Sequence, residues 1–109
     1  MIKIKEKPDI ESDIQEAFAT ALLDTITPNL LGIIVDWTDS LIFGICIYEG
    51  PITEDEVEIV SDVEGEVIAH FNDHMIDLVA TSSGSELNTH MLTCGTWVYR
   101  RPDQDPELR

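Results

Sequence analysis

Lysine and arginine are scarce in this chain: six among 109 residues, against 22 aspartates and glutamates. Those six stand only at the ends, as Lys3, Lys5 and Lys7 at the start and Arg100, Arg101 and Arg109 at the finish. From Pro8 to Tyr99 the sole basic side chains are histidines. A body of this kind excludes nucleic acid as a direct ligand, because holding phosphate requires positive charge. A Gly-rich phosphate loop is also missing. Cysteine is nearly absent; Cys46 and Cys94 are far apart and show no CxxC or zinc-ligand spacing, so no disulfide scaffold is expected and both read as reduced, buried thiols. No uncharged apolar run reaches the ~18 residues that a membrane-spanning helix needs, so no membrane association is expected. The basic start, Met1 to Lys7, leads into Pro8, Asp9, Glu11 and Asp13 rather than an apolar segment, which is unlike a signal peptide and predicts a cytoplasmic protein.

What is present is an ordinary apolar content, 43% of residues, in a length suited to one domain. The reading is a single domain over 1–109, with loose ends at about 1–8 and 102–109. Eighteen of the 22 carboxylates fall between residues 8 and 99. Unrelieved like charge opposes compaction, so such a body calls for a reason. Solubility or adaptation to high salt is one. A negative field that steers and holds a positively charged protein is the other.

The apolar spacing predicts a helix over about Ile10 to Asp24, carrying Ile14, Ala17, Phe18 and Ala21 on one side and Glu11, Asp13 and Glu16 on the other. Two β-branched runs, Leu30 to Trp37 and Ser40 to Tyr48, flank Thr38-Asp39 and predict a hairpin. After Gly50-Pro51, Thr53-Glu54-Asp55-Glu56 has the form of a capping box opening a second helix to about Phe71, with an apolar stripe of Val57, Val60, Val63, Val67, Ile68 and Phe71. Strands are predicted at about His74 to Thr81 and His90 to Arg100, joined by a turn at Ser82 to Ser85. The resulting order is α-β-β-α-β-β. Two consecutive hairpins would make an α+β fold with a four-stranded antiparallel sheet and two helices packed on one face. Because the first hairpin is apolar on both sides, the other sheet face is open to a partner or to a second copy of the chain.

Chemistry finds little purchase. His70, Asp73, His74 and Asp77 are of metal-ligand type, but the helix ends near Phe71, so the two histidines do not share a face, and no metal is expected. Cys46 and Cys94 sit in apolar strand patterns where packing explains them, and carboxylate pairs are too abundant to signal catalysis. No catalytic residue and no cofactor is expected. Glu64 differs from the other acids in lying on the apolar stripe, either reaching solvent from its edge or serving as a partly buried acid in a cleft or polar network. Glu54, Asp55 and Glu56 suit the positive end of a helix dipole. Glu58, Asp62 and Glu66, at i, i+4 and i+8, have no such reason and repel one another. Trp37, Trp97 and Tyr99 near strand ends are core residues or interface anchors.

Several segments resemble a known family: Leu31-Gly32-Ile33 to Trp37, Tyr48-Glu49-Gly50-Pro51-Ile52, Gly65 to Phe71, and Trp97-Val98-Tyr99-Arg100-Arg101. Together they resemble small immunity proteins of bacterial contact-dependent growth inhibition and related polymorphic toxin systems. The resemblance implies a non-enzymatic, cytoplasmic protein that binds the C-terminal domain of a cognate toxin, expected to be a basic nuclease, and covers its active-site cleft. The residues assigned to that contact are Glu54, Asp55, Glu58, Asp62 and Glu66 on the second helix, with Asp36, Asp39 and Glu49 at the hairpin turn and strand end. Docking beside the cleft or by strand addition stays open as the mode. A small acidic adaptor or regulator that dimerises through the open sheet face, with no toxin, is the alternative, and an enzyme using carboxylates or histidines, Glu64 among them, ranks behind both.

Overall fold

The computed structural model describes residues 8–23, 25–83 and 95–101. Helix α1 spans Glu11–Ala21, strands β1 and β2 span Leu30–Trp37 and Leu41–Tyr48, helix α2 spans Glu54–Ile68, and strands β3 and β4 span Met75–Ser82 and Thr96–Arg100. The expected α+β order holds, and the four strands form one sheet in the order β3-β2-β1-β4.

The sheet is mixed rather than wholly antiparallel. β1 and β2 form the expected hairpin, from Trp37 opposite Ile42 to Leu30 opposite Tyr48. β3, however, pairs parallel to β2, and β4 pairs antiparallel to β1 on the far edge. The reason is α2. Fifteen residues of helix at 1.5 Å each cover about the length of a strand, so the chain leaves the end of β2 and re-enters the sheet at its beginning. A strand entering there runs parallel to β2. The hairpin expected between the last two strands does not form, since β3 and β4 lie on opposite edges; part of its turn, from residue 84 on, and the start of the expected last strand, 90–94, lie outside the described residues.

Both helices pack on one face, as expected. Ile14, Ala17 and Phe18 of α1 and Val60, Val63 and Val67 of α2 meet Ile33, Val35 and Trp37 of β1, Ile42, Cys46 and Tyr48 of β2, and Leu78 of β3. The Gln15 Nε2 donates to the Trp97 carbonyl at 3.3 Å, which sets α1 over the β4 side. α2 lies over β3. The expected stripe of α2 is corrected at its first turn: Glu56, Val60, Val63 and Val67 are buried, whereas Val57 is 55% exposed. Trp37 is a core residue whose Nε1 donates to the Pro8 carbonyl at 2.8 Å.

On the opposite face the strands alternate to present Ile34, Leu41, Phe43, Ile45, Ile47, Met75 and Val79. This explains why β1 and β2 read as continuous apolar runs: they are the central strands and are apolar on both sides. Ile34 and Ile47 are buried, but Met75 is 74% exposed. None of the described helices covers this face.

Close approach at the centre of the sheet depends on Gly44. A Cβ there would lie 2.7 Å from Val35 Cγ1, 2.9 Å from the Ile34 carbonyl oxygen and 3.0 Å from Leu78 Cδ2. The backbone oxygen cannot yield as a side chain could, so Gly44→Ala should lower unfolding free energy by about 1–3 kcal/mol, read as a reduced urea midpoint at unchanged slope.

Burial pushes the Cys46 thiol up from 9.0 to about 12, with the Glu64 charge adding to the effect. Burial likewise pushes Tyr48 from 10.0 up to about 12, helped by Cys46 and Glu56. The unfolded chain releases these protons at lower pH than the folded one, so both groups favour the native state below pH 9 and weaken it above. Stability should therefore fall as pH rises from about 9 toward 12, and Tyr48→Phe should flatten that decline in urea titrations made at successive pH values.

Candidate functional site

The acidic surface is built on α2, and its geometry begins with the cap. Thr53 Oγ1 accepts from the Glu56 N–H at 3.1 Å while Glu56 Oε1 accepts from the Thr53 N–H at 3.0 Å, the reciprocal pair that the sequence predicts. Glu56 Oε2 also accepts from Asn29 Nδ2 at 3.1 Å. This carboxylate is buried and fully occupied, so it belongs to the fold rather than to a partner. It also fixes the rotation of the helix about its axis.

That rotation leaves Glu54, Asp55, Glu58, Asp62 and Glu66 all exposed. None of the five has an ion pair among the described residues. Asp62 and Glu66 line a groove of about 600 Å³ between the two helices, together with Thr20, Ala21, Leu23 and Thr25. The α1 acids Glu11, Asp13 and Glu16 are exposed as well.

The three acids assigned from the hairpin are not gathered with these. Asp36 is partly buried, and its Oδ1 accepts from the Trp37 N–H at 2.9 Å. Asp39 is exposed at the β1–β2 turn, which is tied to the start of β3 by the Met75 N–H to the Ser40 carbonyl and by His74 Nε2, 2.9 Å from the Thr38 carbonyl oxygen. Glu49 stands at the other end of β2, about 25 Å away at the rise of a strand. It is 63% exposed and paired with Arg101 Nη1 at 3.5 Å; the same nitrogen donates to the Pro28 carbonyl at 2.9 Å. Thus the eight residues divide into a continuous helical face and two separate positions at opposite ends of the hairpin.

Among the aromatics, Trp97 is half-buried beside Gly32, with the Arg100 guanidinium 5.1 Å from its ring centre, and Tyr99 packs on the core. The histidine cluster makes no site: His74 stacks edge-on against Phe71 at 5.6 Å, and the described residues contain no group of three or more His, Cys, Asp or Glu placed to hold a metal ion. Cys46 is buried and held neutral, which leaves it no thiolate for nucleophilic work. Cys94 lies outside the described residues.

Glu64 proves to be the partly buried acid of a cleft. Its Oε2 accepts from the Leu78 N–H of β3 at 2.9 Å. It lines a second groove, of about 480 Å³, with Ile52, Val57, Val60, Ser61, Leu78, Val79 and Ala80. Sequence reasoning placed Glu64 on the stripe and offered a cleft as one of two readings, but it did not give the cleft's far wall, which exists only once β3 lies parallel beside β2.

A family model described as MafI2 immunity protein matches residues 11–103. No curated protein matches the chain. The match agrees with the immunity class that the resemblance implies, while contact-dependent growth inhibition in particular rests on the resemblance alone. Among the described residues no helix is long and apolar enough to cross a membrane.

The cap gives a test that separates fold from site. Glu56→Ala removes one cap and leaves Asn29 and the Thr53 N–H without their acceptor, and should destabilise by about 2 kcal/mol in urea unfolding, whereas Glu56→Gln, which keeps an acceptor oxygen, should lose less.

Proposed function

The chain belongs to the MafI2 immunity protein family, the model matching most of its length, and from that premise we propose that its acidic α2 face is the surface with which it neutralises a cognate toxin. Neutralising a toxin is the role of an immunity protein; what is proposed is the surface, the chemistry of the partner and the mode. The partner is a basic nuclease domain, and the mode is occlusion of its active-site cleft.

The observation that carries this is the row Glu58, Asp62, Glu66, exposed along one side of a helix with no cation among the described residues to relieve it. Like charges at i, i+4 cost a few tenths of a kcal/mol per pair in the free helix. A nuclease presents Lys, Arg or His where it holds phosphate, and such a cleft is complementary to this row in sign. Charge of one sign over the whole body also speeds encounter, by up to 10–1,000-fold at low salt. The same charge keeps the immunity protein away from the nucleic acid that its partner would cut. The adaptor alternative needs no basic partner and leaves the acidic row without a role.

Reversing Glu58 and Asp62 to lysine should slow association with the toxin domain by about tenfold or more at low ionic strength and remove most of its salt dependence, measured by stopped-flow mixing. Unchanged rates at low salt would rule out this face as the contact.

A further inference from the structure

We infer that the groove between α2 and the outer edge of β3 receives an extended strand of the toxin domain, which adds to the sheet at β3; this rests on the proposal that the chain binds a toxin.

β3 is an edge strand among the described residues. The Met75 N–H donates to the Ser40 carbonyl and the Ser83 N–H to the Tyr48 carbonyl, so odd-numbered residues direct their backbone groups at β2 and even-numbered ones direct theirs outward. The Leu78 N–H points outward by this parity and is taken by Glu64. On either side, Ile76 and Ala80 present outward backbone groups that no described residue pairs. An edge of this kind, here the stretch from Ile76 to Ala80, is a template for another strand unless something blocks it. Along that stretch no proline and no lysine does so, and the Glu64 carboxylate on the Leu78 N–H, a side chain that can be displaced, is its guard among the described residues.

The groove supplies what a bare edge lacks, namely apolar contact for alternate side chains of the added strand. Val57, more than half exposed, forms its outer lip on α2, and Val60 and Leu78 its floor, while Val79 borders it at the strand edge with its side chain turned to the opposite face. Helix on one side and strand edge on the other is the arrangement in which main-chain bonds give affinity and the groove gives selectivity.

Charge decides between occupants. Glu64 lies in the groove, and Glu54 and Glu58 flank Val57 and Ser61 one helical turn before them. Two copies of this chain joined through β3 would set these acids against one another. A strand that alternates apolar residues with lysine or arginine would place the apolar set in the groove, displace Glu64 from Leu78 and bring a cation to the freed carboxylate.

The test uses the full chain, alone and in the complex purified from cells that also express its cognate toxin domain. The Ile76 and Ala80 amides should exchange readily in the free chain and at least tenfold more slowly in the complex. Ala80→Pro deletes an outward N–H without removing a bond to β2, and Val57→Asp changes an exposed lip of the groove; each should weaken binding at least tenfold. Should Ala80→Pro fail to fold, Val57→Asp and the exchange measurement decide. A complex in which both amides exchange at the free rate, with Val57→Asp binding as tightly as the unaltered chain, overturns the inference and leaves the toxin-binding proposal standing. Protection that appears in the chain alone as its concentration rises also overturns it, since the occupant is then a second copy. Failure of the unaltered chain to bind the toxin domain overturns both.

Discussion

One carboxylate, that of Glu56, joins three parts of the molecule: it caps the first turn of α2 through the Thr53 N–H, accepts from Asn29 in the loop before β1, and sits beneath the end of β2 near Tyr48. With the helix start tied down in this way, its rotation follows, because Glu56, Val60, Val63 and Val67 must all turn inward together. Everything on the outer surface of α2 is then fixed as a consequence. The acidic row points to solvent, Glu64 reaches the edge of β3, and Val57 is left at the lip of a groove. The cap is therefore as much a device for aiming the acidic face of α2 as for starting a helix.

The same constraint accounts for the topology. A helix docked by its first turn to the end of β2 must run back along the sheet, and β3 can enter only beside β2 and parallel to it. The parallel edge strand is what creates the cleft in which Glu64 lies. In an antiparallel arrangement of two hairpins, β3 and β4 would pair with each other and no such cleft between α2 and the outer edge of β3 would follow.

The parts readable from sequence were those governed by local chemistry. The capping box, the hairpin around Thr38-Asp39, the two helical stripes and the exposure of Glu54, Asp55, Glu58, Asp62 and Glu66 all follow from spacing and side-chain type. What was not readable was strand partnership, since β3 carries the same alternation whichever neighbour it has. Val57 and Glu56 were exchanged on the stripe for a related reason: apolarity argued for Val57, but two hydrogen-bonded oxygens on Glu56 outweigh it. The separation of Asp36 and Asp39 from Glu49 likewise depends on strand length, which adds distance between residues that sequence reasoning had grouped by type.

A body that carries carboxylates and no lysine or arginine between residues 8 and 99 is held together against its own field. Each exposed acid contributes little alone, and salt at physiological strength confines its reach to about 8 Å. Within that distance, however, neighbours along α2 repel at every turn. A basic partner seated on the face would reverse the sign of those terms, so association would relieve strain in the fold as well as form contacts. By linkage, a ligand that binds only the native state also stabilises it. Charge that looks like a defect of the isolated chain would then become part of the affinity for such a partner, and the absence of internal salt bridges along α2 among the described residues is what leaves it available.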